Sequence, residues 1–203
     1  MIEYPKIENL YIRDELTHKV QPGNWRLPEF EYLATNQWLF TEKVDGTNVR
    51  VMWDGTRVTF GGRTDAAQMP TFLLSRLQDL FPPEKLGIHT GPVCLYGEGY
   101  GAKIQKGGGN YKADGVDFVL FDVRVGEWWL RWEDTVEVGV ELGVDVVPRL
   151  GVGTLHEATA IVQGGLESHW GKFPAEGLVV RPLVDLKTRA GHRIIGKLKT
   201  ADF

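Results

Sequence analysis

Three short β-favouring runs, residues 40–44, 48–53 and 57–60, are separated by Asp45-Gly46 and Asp54-Gly55. Asp-Gly between such runs is a strong hairpin signal, because both residues tolerate the positive φ of a two-residue turn. A meander is predicted. The period then changes: Phe72, Leu73, Leu77, Leu80 and Phe81 fall near helical spacing over residues 71–81, and Pro82-Pro83 stops the run. Residues 93–96 and 116–125 read as strands flanking a glycine-rich loop. Residues 132–142 are expected to form a helix leading into a strand at 144–147, although Val136, Val138, Gly139 and Val140 give it poor propensity. Thr154 with Glu157 makes a capping-box pattern ahead of a helix that should end near Gly164-Gly165. Residues 177–181 and 193–198 close the pattern as strands. Without repeats, low-complexity tracts or linkers, the chain reads as one α+β domain, residues 1–203, built on antiparallel β-sheets with flanking helices.

Composition narrows the class. The 203 residues suffice for one buried core, and 42% hydrophobic with 25% charged residues excludes disorder over most of the length. No segment approaches the ~20 apolar residues of a membrane span, and the first ten residues lack a basic stretch ahead of an apolar run. A cytoplasmic location is expected. The one cysteine, Cys94, cannot close an internal disulfide and sits in the apolar run Pro92-Val93-Cys94-Leu95-Tyr96, where it reads as a small buried hydrophobe. The net charge of −4 does not announce a nucleic-acid binder, so any polyanion site must be a local basic patch.

Candidate chemistry begins at Glu42-Lys43-Val44-Asp45-Gly46-Thr47-Asn48. A lysine of ordinary pKa, about 10.4, is protonated at neutral pH, and it becomes a nucleophile only in cationic or desolvating surroundings. Asp54-Gly55-Thr56 repeats the turn with Met52 where the first has Lys43, so Asp-Gly by itself means only a turn. Five further segments follow in order: Gly61-Gly62-Arg63-Thr64, Leu95-Tyr96-Gly97-Glu98, Phe118-Val119-Leu120-Phe121-Asp122-Val123, Glu176-Gly177-Leu178-Val179-Val180-Arg181 and Ile195-Gly196-Lys197-Leu198-Lys199. In the last of these, Lys197 and Lys199 share a strand face.

These motifs, in this order over residues 42–199, resemble the covalent nucleotidyltransferase superfamily of ATP-dependent DNA and RNA ligases and mRNA capping enzymes. The form Lys-x-Asp-Gly-Thr-Asn, with Asn48 where DNA ligases and capping enzymes more often carry arginine, is similar to RNA ligases. So is the stretch from Tyr96 to Lys106 leading to Tyr111. The resemblance implies a nucleotidyltransferase (adenylation) domain with an ATP-grasp-like ligase core, and an enzyme that joins RNA ends.

It also implies roles. Lys43 would attack the α-phosphorus of ATP, expel pyrophosphate and carry AMP on a phosphoramide bond. AMP would pass to the 5′-phosphate of an RNA end, and a 3′-hydroxyl would then displace it. Lys197 and Lys199 would lie against the α-phosphate. Glu98 would meet the ribose or a metal and Glu176 the metal, Mg²⁺ (or Mn²⁺). Arg63 would contact ribose or phosphate, Phe121 would stack on adenine, Asp45 and Asn48 would bind nucleotide or water-bridged metal, and Glu42 would take the adenine-side position.

The residues alone leave alternatives open. Phe121 alternates with Val119 and Val123 and so reads equally as core, while Asp45 and Asn48 are ordinary turn-capping residues. Residues 99–115 carry Lys103, Lys106 and Lys112 with Tyr100 and Tyr111, a basic and aromatic mixture suited to RNA, and Gly107-Gly108-Gly109 suggests a mobile loop. A DNA ligase, a guanylyltransferase or a non-catalytic RNA-end binding module would keep much of this pattern. With Phe203 four residues past Lys199, no C-terminal oligonucleotide-binding-fold or helical domain is expected. The expectation is a monomeric phage or bacterial RNA-repair ligase.

Overall fold

The computed structural model describes residues 2–87, 89 and 91–203. Along the chain come β1 (Glu8–Asn9), β2 (Tyr11–Arg13), β3 (Val20–Trp25), α1 (Pro28–Tyr32), β4 (Trp38–Lys43), β5 (Thr47–Trp53), β6 (Val58–Gly61), α2 (Thr71–Leu80), α3 (Pro83–Leu86) and β7 (Val93–Gly101). They are followed by α4 (Gly108–Tyr111), β8 (Val116–Val125), β9 (Trp128–Trp129), α5 (Trp132–Leu142), β10 (Asp145–Val146), β11 (Arg149–Gly153), α6 (Leu155–Gln163), β12 (Gly177–Pro182) and β13 (Gly196–Lys199). This is a mixed α/β fold of largely antiparallel sheets with few helices.

The residues group into two compact units. One comprises Asp45–Val147 with the N-terminal stretch to Pro5; the other comprises Lys6–Val44 and Pro148–Phe203. In the first, the sheet order is β10-β8-β7-β5-β6, with β9 paired to β8. Val49 and Val51 of β5, Leu95 of β7 and Phe118, Leu120 and Val123 of β8 point to one face, where Leu73 and Leu77 of α2 cover them. In the second, the order is β1-β13-β12-β4-β11. Trp38 and Phe40 of β4, Leu178 and Val180 of β12 and Leu198 of β13 pack there with Leu155, Ala158 and Val162 of α6. The short edge strands β1 and β10 pair parallel to β13 and β8; the longer ladders are antiparallel.

Most predicted elements are present, with bounds that match or shift by a residue or two. The 132–142 helix forms despite its weak propensity because packing overrides it: a Cβ at Gly139 would come within 2.3 Å of Val146, so only glycine lets the helix lie this close to β10. Thr154 and Glu157 form the full capping box.

Three expectations are corrected. The meander does not run through Asp45-Gly46: β4 pairs with β12 and β11 while β5 pairs with β7 and β6, so only Asp54-Gly55 closes a hairpin, because strand partners distant in sequence decide the pairing at the first turn. The glycine-rich stretch after Tyr96 is strand as far as Gly101, because its glycines permit close packing rather than motion. A Cβ at Gly97 would meet the Phe118 ring at 2.2 Å, and one at Gly99 would meet Leu73 at 2.7 Å. The last strand begins at Gly196 rather than 193, since residues 186–194 form a small loop in which Ile194 donates to the Leu186 carbonyl. The strands before residue 30, and β11, have no counterpart in the sequence reading.

Candidate active site

In the second unit, Lys43 ends β4, Gly177 opens β12 and Lys199 ends β13. The three residues stand side by side in register, Lys43 opposite Gly177 and Gly177 opposite Lys199. Strand alternation puts Lys43, Lys197 and Lys199 on the face opposite the apolar cluster of Phe40, Leu178 and Leu198. Glu176, one residue before β12, reaches between the two end lysines: Lys43 Nζ donates to its Oε2 at 2.6 Å and Lys199 Nζ lies 2.6 Å from its Oε1. Thr200 fixes the backbone around it, the amide donating to the Glu176 carbonyl and the hydroxyl to the Ala175 carbonyl, both at 2.9 Å. Gly177 has φ +152°, and a Cβ there would meet the Leu198 carbonyl oxygen at 1.9 Å. A side chain at this position would push β13 and its lysines away from Lys43.

Lys197 is half-buried on the same face. Burial chiefly holds its ammonium below the usual lysine range; Lys43, Lys199 and Arg13 add to this and Glu8 opposes it. The cluster concentrates positive charge around one carboxylate. That is the field in which an anionic phosphate is stabilised and a lysine can act as a nucleophile.

Glu42 faces the other way. It is 1% exposed, and its carboxylate accepts from the Ser168 hydroxyl at 2.6 Å and the His169 amide at 2.8 Å. Ser168 and His169 were invisible to motif reading, because they lie in an irregular turn that meets β4 only through the fold.

In the first unit, Asn48 of β5 stands opposite Glu98 of β7. Asn48 Oδ1 is buried without a hydrogen-bond partner, the kind of acceptor that a ribose hydroxyl or a metal-bound water satisfies. The Asp45 amide donates to the Tyr111 hydroxyl, and Gln105 Nε2 donates to the Gly46 carbonyl. Phe121 is the extra residue of a β-bulge: Leu120 pairs with Gly97 and Asp122 with Tyr96, and Phe121 falls between those two pairs. Its ring meets Tyr4 edge-on at 5.0 Å. Phe121 is therefore displaced from the regular alternation, while Phe118, Leu120 and Val123 supply the core.

Arg63 is exposed on the loop after β6. Arg50, 1% exposed and unremarked in the sequence, braces that loop on both sides of it, with Nε donating to the Gly62 carbonyl at 2.6 Å and Nη2 to Asp65 Oδ1 at 2.7 Å. Only the length of arginine in a strand hinted at this. Lys103 and Lys106 are exposed, and Lys112 pairs with Asp117 at 3.0 Å.

Among the described residues no three His, Cys, Asp or Glu side chains cluster as a metal cage. Mg²⁺ takes one or two carboxylates and completes its shell with water and substrate phosphates; at the lysine cluster the carboxylate of that chemistry is Glu176. Also among the described residues, no helix is long and apolar enough to cross a membrane.

A lysine on a strand end, aligned with a second lysine across a glycine and bridged to it by a carboxylate, on largely antiparallel sheets, is an arrangement suited to holding a phosphate beside a nucleophile. The RNA ligase family model matches residues 36–199, and the chain belongs to that family. Among solved structures, an RNA ligase of Naegleria gruberi, as a lysine-to-alanine mutant with ATP and Mn, superposes with TM-score 0.70 at 21% identity, covering 96% of this chain and 58% of that one. The same ligase with pyrophosphate gives 0.69 at 22% identity, covering 97% and 61%. A glutamate-to-alanine mutant with AMP and Mn gives 0.69 at 20%, covering 96% and 59%. The chain thus spans about three fifths of the length of these ligases, and at this identity the likeness is one of fold. No curated protein matches the sequence.

Proposed function

We propose that this protein is an ATP-dependent RNA ligase that works through a lysyl-AMP intermediate on Lys43, with residues 1–203 forming its nucleotidyltransferase domain. The observation that carries the reading is the pairing of Lys43 and Lys199 with the two oxygens of Glu176. Family membership and the ATP-, AMP- and Mn-bound neighbours support it.

In the first step, Lys43 Nζ sheds a proton and attacks the α-phosphorus of ATP. An N–P bond forms, the P–O bond to pyrophosphate breaks, and pyrophosphate leaves with the electron pair. Glu176 Oε2, 2.6 Å away, is the nearest acceptor for that proton. Lys197 and Lys199 take the charge developing on the phosphate oxygens. Glu176 and Glu98 are the carboxylates that would hold Mg²⁺ (or Mn²⁺), which supplies charge neutralisation on the phosphates. Arg63, Asp45, Asn48 and Phe121 are assigned to the nucleotide on their motif positions, while Glu42, buried on the opposite face of β4 against Ser168 and His169, acts as a structural anchor. AMP then passes to a 5′-phosphate RNA end and a 3′-hydroxyl displaces it, in the cytoplasm, with the protein acting as a monomer.

Incubation with ATP and Mg²⁺ should raise the intact mass by one AMP in wild type but not in Lys43→Ala. Absence of the adduct in wild type overturns the reading. Labelled GTP in place of ATP, and nicked DNA in place of RNA, identify a guanylyltransferase or a DNA ligase; RNA binding without an adduct identifies a binding module.

A further inference from the structure

Helix α2 and the segment 102–115 border a groove of about 610 Å³, with Phe72, Ser75, Arg76, Asp79, Lys103 and Lys112 on its walls. This volume lies within the usual range of ligand sites, about 300–1,000 Å³. None of the residues assigned to ATP lines it. We propose, building on the ligase reading, that the groove holds the phosphate backbone of a single-stranded RNA substrate.

The charges suit a polyanion and are held in place. Asp117 receives Arg76 through Nε and Nη2, at 3.2 and 3.1 Å, and Lys112 Nζ at 3.0 Å. One carboxylate thereby orients two partly exposed cations, and Lys103 adds a third cation with no acid beside it in the chain. Asp117 and Asp79 are the opposing charges, so the three cations leave the groove net positive by one. Phe72 is 43% exposed on the groove wall and presents a ring on which a base can stack.

The groove is also mechanically tied to the turn that follows Lys43 in the chain. Gln105 and Tyr111, in the same 102–115 segment as Lys103 and Lys112, hydrogen-bond the Gly46 carbonyl and the Asp45 amide. Lys103 and Gln105 both take left-handed φ, 69° and 54°, a conformation seldom seen outside glycine, asparagine and aspartate and kept only where surrounding contacts enforce it. A strand bound here rests on the element that braces the Asp45-Gly46 turn.

The test is the affinity of a fluorescent, 5′-phosphorylated single-stranded RNA for charge variants of the exposed helix face. Ser75→Glu, a substitution a helix tolerates, should weaken binding about tenfold or more, and Asp79→Lys should tighten it. Arg76→Ala should weaken binding evenly across RNA sequences and lower the salt slope by about one. AMP-adduct formation and thermal midpoint should not change in Ser75→Glu. If Ser75→Glu and Asp79→Lys both fold, form the adduct and bind RNA as wild type does, the groove is not the RNA site. Failure of wild type to form the adduct overturns the ligase reading instead, and the RNA titration still decides the groove.

Discussion

Glu176 Oε2 lies 2.6 Å from Lys43 Nζ, on a carboxylate whose other oxygen meets Lys199. Glu176→Gln keeps the shape but removes the charge that aligns both ammonium groups and accepts the nucleophile's proton. We expect the rate of AMP-adduct formation to fall by about 10²-fold, the scale of losing one preorganised charged partner. Because the pair is partly exposed, the thermal midpoint should move little. Wild-type adduct kinetics in Glu176→Gln would remove this residue from the mechanism.

Lys197 gives a pH prediction. Its folded-state pKa is depressed, by burial first and then by its cationic neighbours. The folded protein therefore sheds this proton at a lower pH than the unfolded chain does. Between the depressed value and the ordinary 10.5 the unfolded chain binds more protons, so this group's contribution makes stability rise with pH there. Below that window the desolvated charge is a constant cost. Lys197→Met should raise the thermal midpoint at neutral pH and flatten the alkaline gain, while slowing adenylation by about 10²-fold or more. Denaturant titrations at several pH values, run beside adduct kinetics, check both halves.

Arg50 binds on both sides of Arg63, through Gly62 and Asp65. Lysine cannot reproduce that fork. For Arg50→Lys we expect a raised KM for ATP in adenylation with a smaller change in the maximal rate, since the loop carrying Arg63 is loosened and Lys43 is untouched. An unchanged KM would make Arg50 a purely structural residue.

Ser168→Ala removes the hydroxyl that, beside the His169 amide, donates to the buried Glu42 carboxylate. Leaving a buried acceptor short of a donor costs about 1–3 kcal/mol, and at a charged group the loss tends to the upper end. A fall in denaturation midpoint of that size is expected, with partial recovery in the double variant carrying Glu42→Gln, whose neutral amide is less costly to leave short.

The two kinds of information in the chain were not equally readable. Local signals were plain: the Asp54-Gly55 hairpin, the periodicity of α2, and the reciprocal cap of Thr154 and Glu157 each depend on residues a few positions apart, whereas Asp45-Gly46 marked a turn without showing that β4 pairs with β12 instead of β5. Motif order likewise brought Lys43, Glu176, Lys197 and Lys199 forward, and the fold sets them on one face or beside it. Illegible were contacts whose partners are distant in sequence and chemically ordinary. Ser168 lies 126 positions from Glu42, and nothing in an isolated serine marks it as a carboxylate donor. Arg50 belongs to no motif, and only the fold, by burying it, shows that it braces the loop of Arg63. The glycines at 97, 99 and 101 misled in the other direction, since glycine encodes both freedom and close approach and only the Phe118 and Leu73 side chains decide which.

The bulge at Phe121 acts as a frame-shift within β8. Before it, even-numbered Phe118 and Leu120 turn to the core; after it, odd-numbered Val123 does, and Asp122 and Arg124 take the outer side. Without the bulge, the same residues in plain alternation would turn Asp122 and Arg124 into the apolar layer beneath α2 and Val123 out of it. The extra residue therefore decides which side chains of the later half of β8 reach the core, and a bulge is as much a part of that choice as the residues themselves.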